Sequence, residues 1–172
     1  QLLSSFLTLQ LSHHPDQLPE DFLSAVEKKI KAMSLVHEQL YRSSEIGNLM
    51  LKEYFQDITD HLLGSLGAAL PELEIDIEGA EIQVNVDKAI PLGLIMNEIV
   101  TNSIKHAFAD TEQDPKISIR LSSEPGGDAT LVFSDSGAGF PAHFDPFGPK
   151  QVGARVIVLL ARQLNGNLTF FN

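Results

Sequence analysis

The stretch NEIVTNSIKHAF, Asn97–Phe108, decides the reading of this chain. Pro91 upstream suits the first turn of a helix, and Leu92, Met96, Ile99, Val100, Ser103, Ile104 and Ala107 recur at helical spacing. At about 100° per residue, Glu98, Asn102 and Lys105 fall together on the opposite face. One side of one helix is thus expected to carry a carboxylate, a neutral oxygen donor and an ammonium.

A second segment, DSGAG at Asp135–Gly139, follows Ala129–Ser134, which reads as a buried strand. Gly137 and Gly139 let the backbone turn sharply and come close to a ligand. A buried Asp135 at the strand end can accept a hydrogen bond from an exocyclic amine, and adenine carries one. A nucleoside triphosphate with a hard divalent cation needs oxygen ligands for the ion and a cation for the phosphates. Asn102 and Lys105 supply both. Singly, a short Asp-x-Gly-x-Gly turn is weak evidence, because plain turn chemistry uses the same residues; the pair in this order is far more specific.

The two segments resemble those of the transmitter region of sensor histidine kinases, in the superfamily that also holds gyrase, Hsp90 and MutL ATPases. The run Ala89–Phe108, AIPLGLIMNEIVTNSIKHAF, is most similar to the HWE-like subclass and its near relatives, and the likeness extends over nearly the whole chain.

Composition agrees with a globular chain. Its 172 residues suffice for one substantial domain, or a smaller domain with a helical appendage, and 43% are hydrophobic. No apolar run is long enough to span a bilayer and no signal peptide is evident. Cysteine is absent, which excludes disulfides and thiolate metal sites. A net charge of −11, with no Lys/Arg stripe, argues against a nucleic-acid partner. Much of that charge solvates the surface: Glu72, Glu74, Asp76 and Glu78 alternate with Leu73, Ile75 and Ile77 on an expected strand.

Two helices are expected first. Residues 1–14 carry Leu2, Leu3, Phe6, Leu7, Leu9 and Leu11 almost all round, and 20–42 carry Phe22, Val26, Ile30, Met33, Val36 and Leu40 at three- and four-residue steps. A hairpin alone cannot cover the first helix. Pairing of residues 1–42 with a second copy into a four-helix bundle is one solution, and packing on the chain's own C-terminal domain is the other. Ser43–Asn48 reads as a linker, and 51–70 as a helix ending near Gly67 and Pro71. Strands are expected at 72–78 and 81–86, turning at Gly79-Ala80, and at 116–122 and 129–134, turned by Pro125-Gly126-Gly127. A last helix over 152–164 stops at Asn165-Gly166. The fold class is therefore α+β: a helical hairpin (1–47), then an α/β sandwich (48–172) of helices beside an antiparallel or mixed sheet.

The resemblance implies roles residue by residue. Asn102 would hold Mg²⁺, Asp135 would bind the adenine amine of ATP, Gly137 and Gly139 would shape the pocket, and Lys105 with His106 would face the phosphates. Glu98, one turn before Asn102, would help accept the proton of a nucleophilic imidazole. Gly153 would let the amides at the start of the last helix meet phosphate. Here the sequence departs from the family, which commonly has a second glycine just before and a Leu or Met just after; Gln151 and Ala154 stand there, with Gly148 further upstream. The segment 140–152 is also short for an ATP lid.

The same resemblance places the phosphorylated His just before a segment like Gln1–Gln10, so the acceptor is expected upstream of the chain. Of its six histidines, His37 resembles a recurring structural His of the subclass, His13 and His14 flank a turn, and His61 and His143 read as incidental. The implied protein is a cytoplasmic kinase core, itself the cytoplasmic part of a larger sensor, that passes phosphate from His to an Asp of a response regulator receiver domain. The competing readings are a catalytically weak phosphotransferase or scaffold with a degenerate ATP-binding domain, and an anti-sigma-type serine kinase, which the two leading helices disfavour.

Overall fold

Leu51, Phe55, Ile58 and Leu62 step by three or four residues and, with Tyr54, form the buried stripe of helix α1, Leu51–Leu66, in a computed structural model that describes residues 48–66, 72–108, 114–140, 144–145 and 152–171. The expected helical hairpin over 1–42, with its pairing to a second copy, lies outside the described residues, as do His13, His14, His37, His143, Gly148 and Gln151. His61 is exposed on α1.

A short strand β1, Asn48–Met50, leads into α1, and β2 (Glu74–Gly79), β3 (Gln83–Asn85), helix α2 (Val86–Asn102), β4 (Lys116–Ser123), β5 (Ala129–Asp135) and α3 (Val152–Gln163) follow. The main sheet runs β2-β4-β5, with β2 and β4 parallel and β4 and β5 antiparallel, so it is mixed. The β4–β5 hairpin closes at Pro125–Gly127 as read from the sequence, with Gly127 at φ 85° donating its N–H to the Glu124 carbonyl at 2.9 Å.

β2 does end at Gly79-Ala80, but the strands on the two sides enter different sheets, and no turn joins them as a hairpin. β2 aligns Ile75 with Ile117 and Ile77 with Ile119, whereas β3 pairs antiparallel with β1. Gly79 sits at φ 114°, and a Cβ there would run into the Leu121 backbone, so the chain can leave the sheet here only as glycine.

The start of α2 also differs from expectation. The alternation Ile82, Val84, Val86 reads as strand, yet only Gln83–Asn85 is extended, and the Asn85 side chain accepts from Lys88 N at 3.1 Å as an N-cap. Helix therefore begins at Val86, with Asp87 in its first turn, and Pro91 lies fully buried in the second turn rather than the first. Lacking an N–H, Pro91 leaves the Asp87 carbonyl without its helical donor.

α2 is buried on two faces, not one. Ala89, Met96, Val100 and Ile104 join Phe55, Ile58, Ile117 and Ile119 in the main core between helices and sheet. Leu94 and Ile95 pack instead against Ile157 and Leu160 of α3. The expected buried character of β5 is only partial: Leu131 and Phe133 are half-buried and the rest of the strand is exposed, because β5 has a single partner strand among the described residues.

Candidate nucleotide-binding site

Glu98 and Asn102 lie one turn apart on α2 and are both half-buried. The start of α3 presses against them. A Cβ on Gly153 would overlap Glu98 Oε1 and stand 3.0 Å from Asn102 Nδ2, so the missing side chain is what lets the two helices approach here. α2 then widens into a π-helical turn, Ser103–Ala107, which carries Lys105 and His106 on its exposed side. Such turns insert an i→i+5 step and are frequent at functional sites. The 100° step that aligned Lys105 with Glu98 and Asn102 holds as far as Asn102 and changes through this turn.

The Asp135–Gly139 loop is fastened to the same turn. Ala138 N donates to the Ala107 carbonyl at 3.0 Å, and a Cβ on Gly137 would lie 2.7 Å from the Ala107 carbonyl carbon. Gly139 adopts φ 72°, a conformation that suits glycine. Ser136 secures the strand end: its hydroxyl donates to the Asp114 carbonyl at 2.8 Å and accepts from Lys116 N at 2.9 Å.

Asp135 itself is exposed, contrary to the buried carboxylate expected from the sequence. Its orientation is nevertheless set by two donors, Ser103 Oγ to Oδ2 at 2.8 Å and Gly137 N to Oδ1 at 3.0 Å. Ser103 carried no functional assignment in the sequence; its only signal was a hydroxyl on the inward face of α2. Past Gly139, Phe140 stacks on Phe144 at 4.2 Å, and the Phe170 ring meets both edge-on, tying this end of the loop to the chain after α3.

Three groups of elements therefore meet at one edge of the sheet: the end of α2, the end of β5 and the start of α3. A carboxylate with free lone pairs lies in one part, and an amide beside a second carboxylate lies in another.

Comparison with known proteins gives the family and the fold. The family of histidine kinase-, DNA gyrase B- and HSP90-like ATPases matches residues 87–170, and a histidine kinase family matches residues 1–66. The sensor histidine kinase PdtaS of Mycobacterium tuberculosis is 22% identical over 98% of this chain and 33% of its own length. Blue-light-activated histidine kinase 2 of Erythrobacter litoralis is 25% identical over 62% of this chain and 32% of its own. The chain thus spans about a third of the length of the curated relatives it matches. In fold it is similar to the Erythrobacter litoralis EL346 blue-light activated histidine kinase, with a TM-score of 0.74 at 20% identity, covering 97% of this chain and 55% of that one. With both halves matched and the ATPase fold in place, the chain belongs to the histidine kinase transmitter family, in its HWE-type branch.

Proposed function

We propose that this chain is the core of a two-component sensor kinase that binds Mg-ATP, phosphorylates a histidine and hands the phosphoryl group to an aspartate of a response regulator receiver domain. The observation that supports the reading most is the fastening of the Asp135–Gly139 loop to the π-helical turn that follows Asn102, through Ala138 N to the Ala107 carbonyl and Ser103 Oγ to the Asp135 carboxylate.

The donor set suits the implied cation. Asn102 offers an amide oxygen, one turn from the Glu98 carboxylate. Mg²⁺ favours such a site, since it keeps few protein ligands and takes the rest from phosphates and water. Bound there, it would neutralise charge on the phosphates.

The protein's own part is positioning and proton handling. Asp135 accepts from the adenine amine, Gly137 and Gly139 admit the base, and Lys105 and His106 face the phosphates. Gly153 admits α3, with its N-terminal amides, to the same end of the site. As the imidazole nitrogen bonds to the γ-phosphorus and the bond to the β-phosphate oxygen breaks, Glu98 accepts the imidazole proton. The nucleoside diphosphate leaves.

Residues 48–172 form the catalytic domain and residues 1–47 the dimerising phosphotransfer hairpin in this reading, with the homodimer built through 1–42. Burial of Tyr54, Phe55 and Ile58 in the sheet's core supports assigning α1 to the catalytic side. No described helix is long and apolar enough to cross a membrane, and the cytoplasm is the proposed compartment.

The test is binding of a non-hydrolysable ATP analogue with and without Mg²⁺ to the parent chain, Asn102→Ala and Asp135→Ala. Micromolar, Mg-dependent binding lost in both variants supports the kinase. A parent chain that binds no nucleotide would move the assignment to a phosphotransferase or scaffold.

A further inference from the structure

Two small polar side chains are buried among the described residues, Thr59 and Ser103. Thr59 satisfies itself locally, donating to the Gln56 carbonyl of its own helix at 2.9 Å. Ser103 is 4% exposed and does something different: its hydroxyl crosses to the Asp135 carboxylate at 2.8 Å. A serine on a helix ordinarily turns back to a carbonyl of the preceding turn. A buried hydroxyl without a partner is costly, so this contact is kept once the fold forms.

We propose that Ser103 is a positioning residue for base recognition, holding the Asp135 carboxylate in the one orientation that meets an exocyclic amine. This rests on the reading of Asp135 as the adenine acceptor. An ionised carboxylate has about four lone-pair sites. Ser103 occupies one on Oδ2 and Gly137 N one on Oδ1, so both oxygens are pinned from the protein side. Asp135 is exposed, so a base can reach sites that these two donors leave open. Without the hydroxyl, Oδ1 keeps its bond to Gly137 while the carboxylate can rotate about it. The amine would then meet an ensemble of orientations instead of one, and binding would carry the cost of fixing them.

The experiment compares two probes on the full chain: a non-hydrolysable ATP analogue, and the matching purine riboside analogue that lacks the 6-amino group. The parent is expected to prefer the amine-bearing probe. Ser103→Ala weakens that probe roughly five- to tenfold, as expected for the net contribution of a single hydrogen bond, and changes the des-amino probe less than about twofold. Ser103→Thr, which restores a hydroxyl, recovers most of the preference. Equal weakening of both probes in Ser103→Ala, or no weakening of either, overturns the proposal, and melting temperatures run alongside identify a folding defect as the source of an equal loss. Asp135→Ala separates this failure from the larger one. If it abolishes the preference while Ser103→Ala retains it, only the role of Ser103 falls; if the parent shows no preference at all, the base-recognition reading falls with it.

Discussion

Replacing Gly153 by alanine puts a methyl group where the Glu98 carboxylate now lies. A Cβ at this position overlaps Glu98 Oε1 and stands 3.2 Å from Glu98 Cδ and 3.0 Å from Asn102 Nδ2. Carbon prefers neighbours at about 3.5–4.0 Å, so the carboxylate must retreat by about 1 Å. Its end is a flexible side chain rather than backbone, and the fold can therefore absorb the change. Alanine is also favoured over glycine in a helix by roughly 0.5–1 kcal/mol. Stability should be unchanged or slightly higher, whereas a misplacement of about 1 Å in a reacting group can cost roughly 100-fold in rate. The expected result for Gly153→Ala is an unaltered or raised melting temperature with phosphoryl transfer lowered by about 10- to 100-fold. A Gly153→Ala protein with the parent's rate would refute the link between this helix contact and the chemistry.

Gly137→Ala should behave in the opposite way, because its Cβ meets the Ala107 backbone, which cannot swing aside; a loss of about 1–3 kcal/mol is expected in denaturant titration, with nucleotide binding lost in parallel. Tyr54 is buried and its hydroxyl has no partner among the described residues, so Tyr54→Phe should be neutral or stabilising by up to about 1 kcal/mol in the same assay. Burial also pushes the Tyr54 hydroxyl above its ordinary value of 10.0. The folded state then holds a proton that the unfolded chain releases, so this contribution to stability is intact below pH 10 and declines above it, and Tyr54→Phe should flatten that alkaline decline in melting temperature. Asn85→Ala removes the cap of α2 and should cost about 1 kcal/mol, read from the urea midpoint.

Local signals in the sequence were read correctly where one physical rule acted alone. The helix expected from residue 51 and the Pro125–Gly127 turn became α1, described to Leu66, and the β4–β5 hairpin. Asn165, read as a helix stop, adopts φ 55° just past the end of α3. Reading failed where two rules competed. At Val84-Asn85-Val86 the alternation of apolar residues favoured a longer strand, but the capping side chain of Asn85 set the boundary. The parallel pairing of β2 with β4 was not legible, because it depends on a partner some forty residues away rather than on Gly79-Ala80. Within the site, the helix face of Glu98 and Asn102 could be drawn on a regular helical wheel. The π-helical turn could not, and the Ser103–Asp135 hydrogen bond spans 32 positions that no local pattern connects. The exposure of Asp135 follows from β5 having one partner strand among the described residues, a property of the sheet and not of the strand's own composition.

The parallel β2–β4 pair bears on the order of events during folding. Two parallel strands need a crossover between them, and here α2, which carries Glu98 and Asn102, lies within that crossover. Loop closure of this length is an entropic cost met before its contacts reward it, which places the strand pairing, and with it the final docking of α2, late on the folding route. Under the proposed function, a nucleotide seated at the end of α2 would stabilise contacts formed after the transition state, and so would act mainly by slowing unfolding: occupancy would set how long the folded domain persists more than how fast it forms.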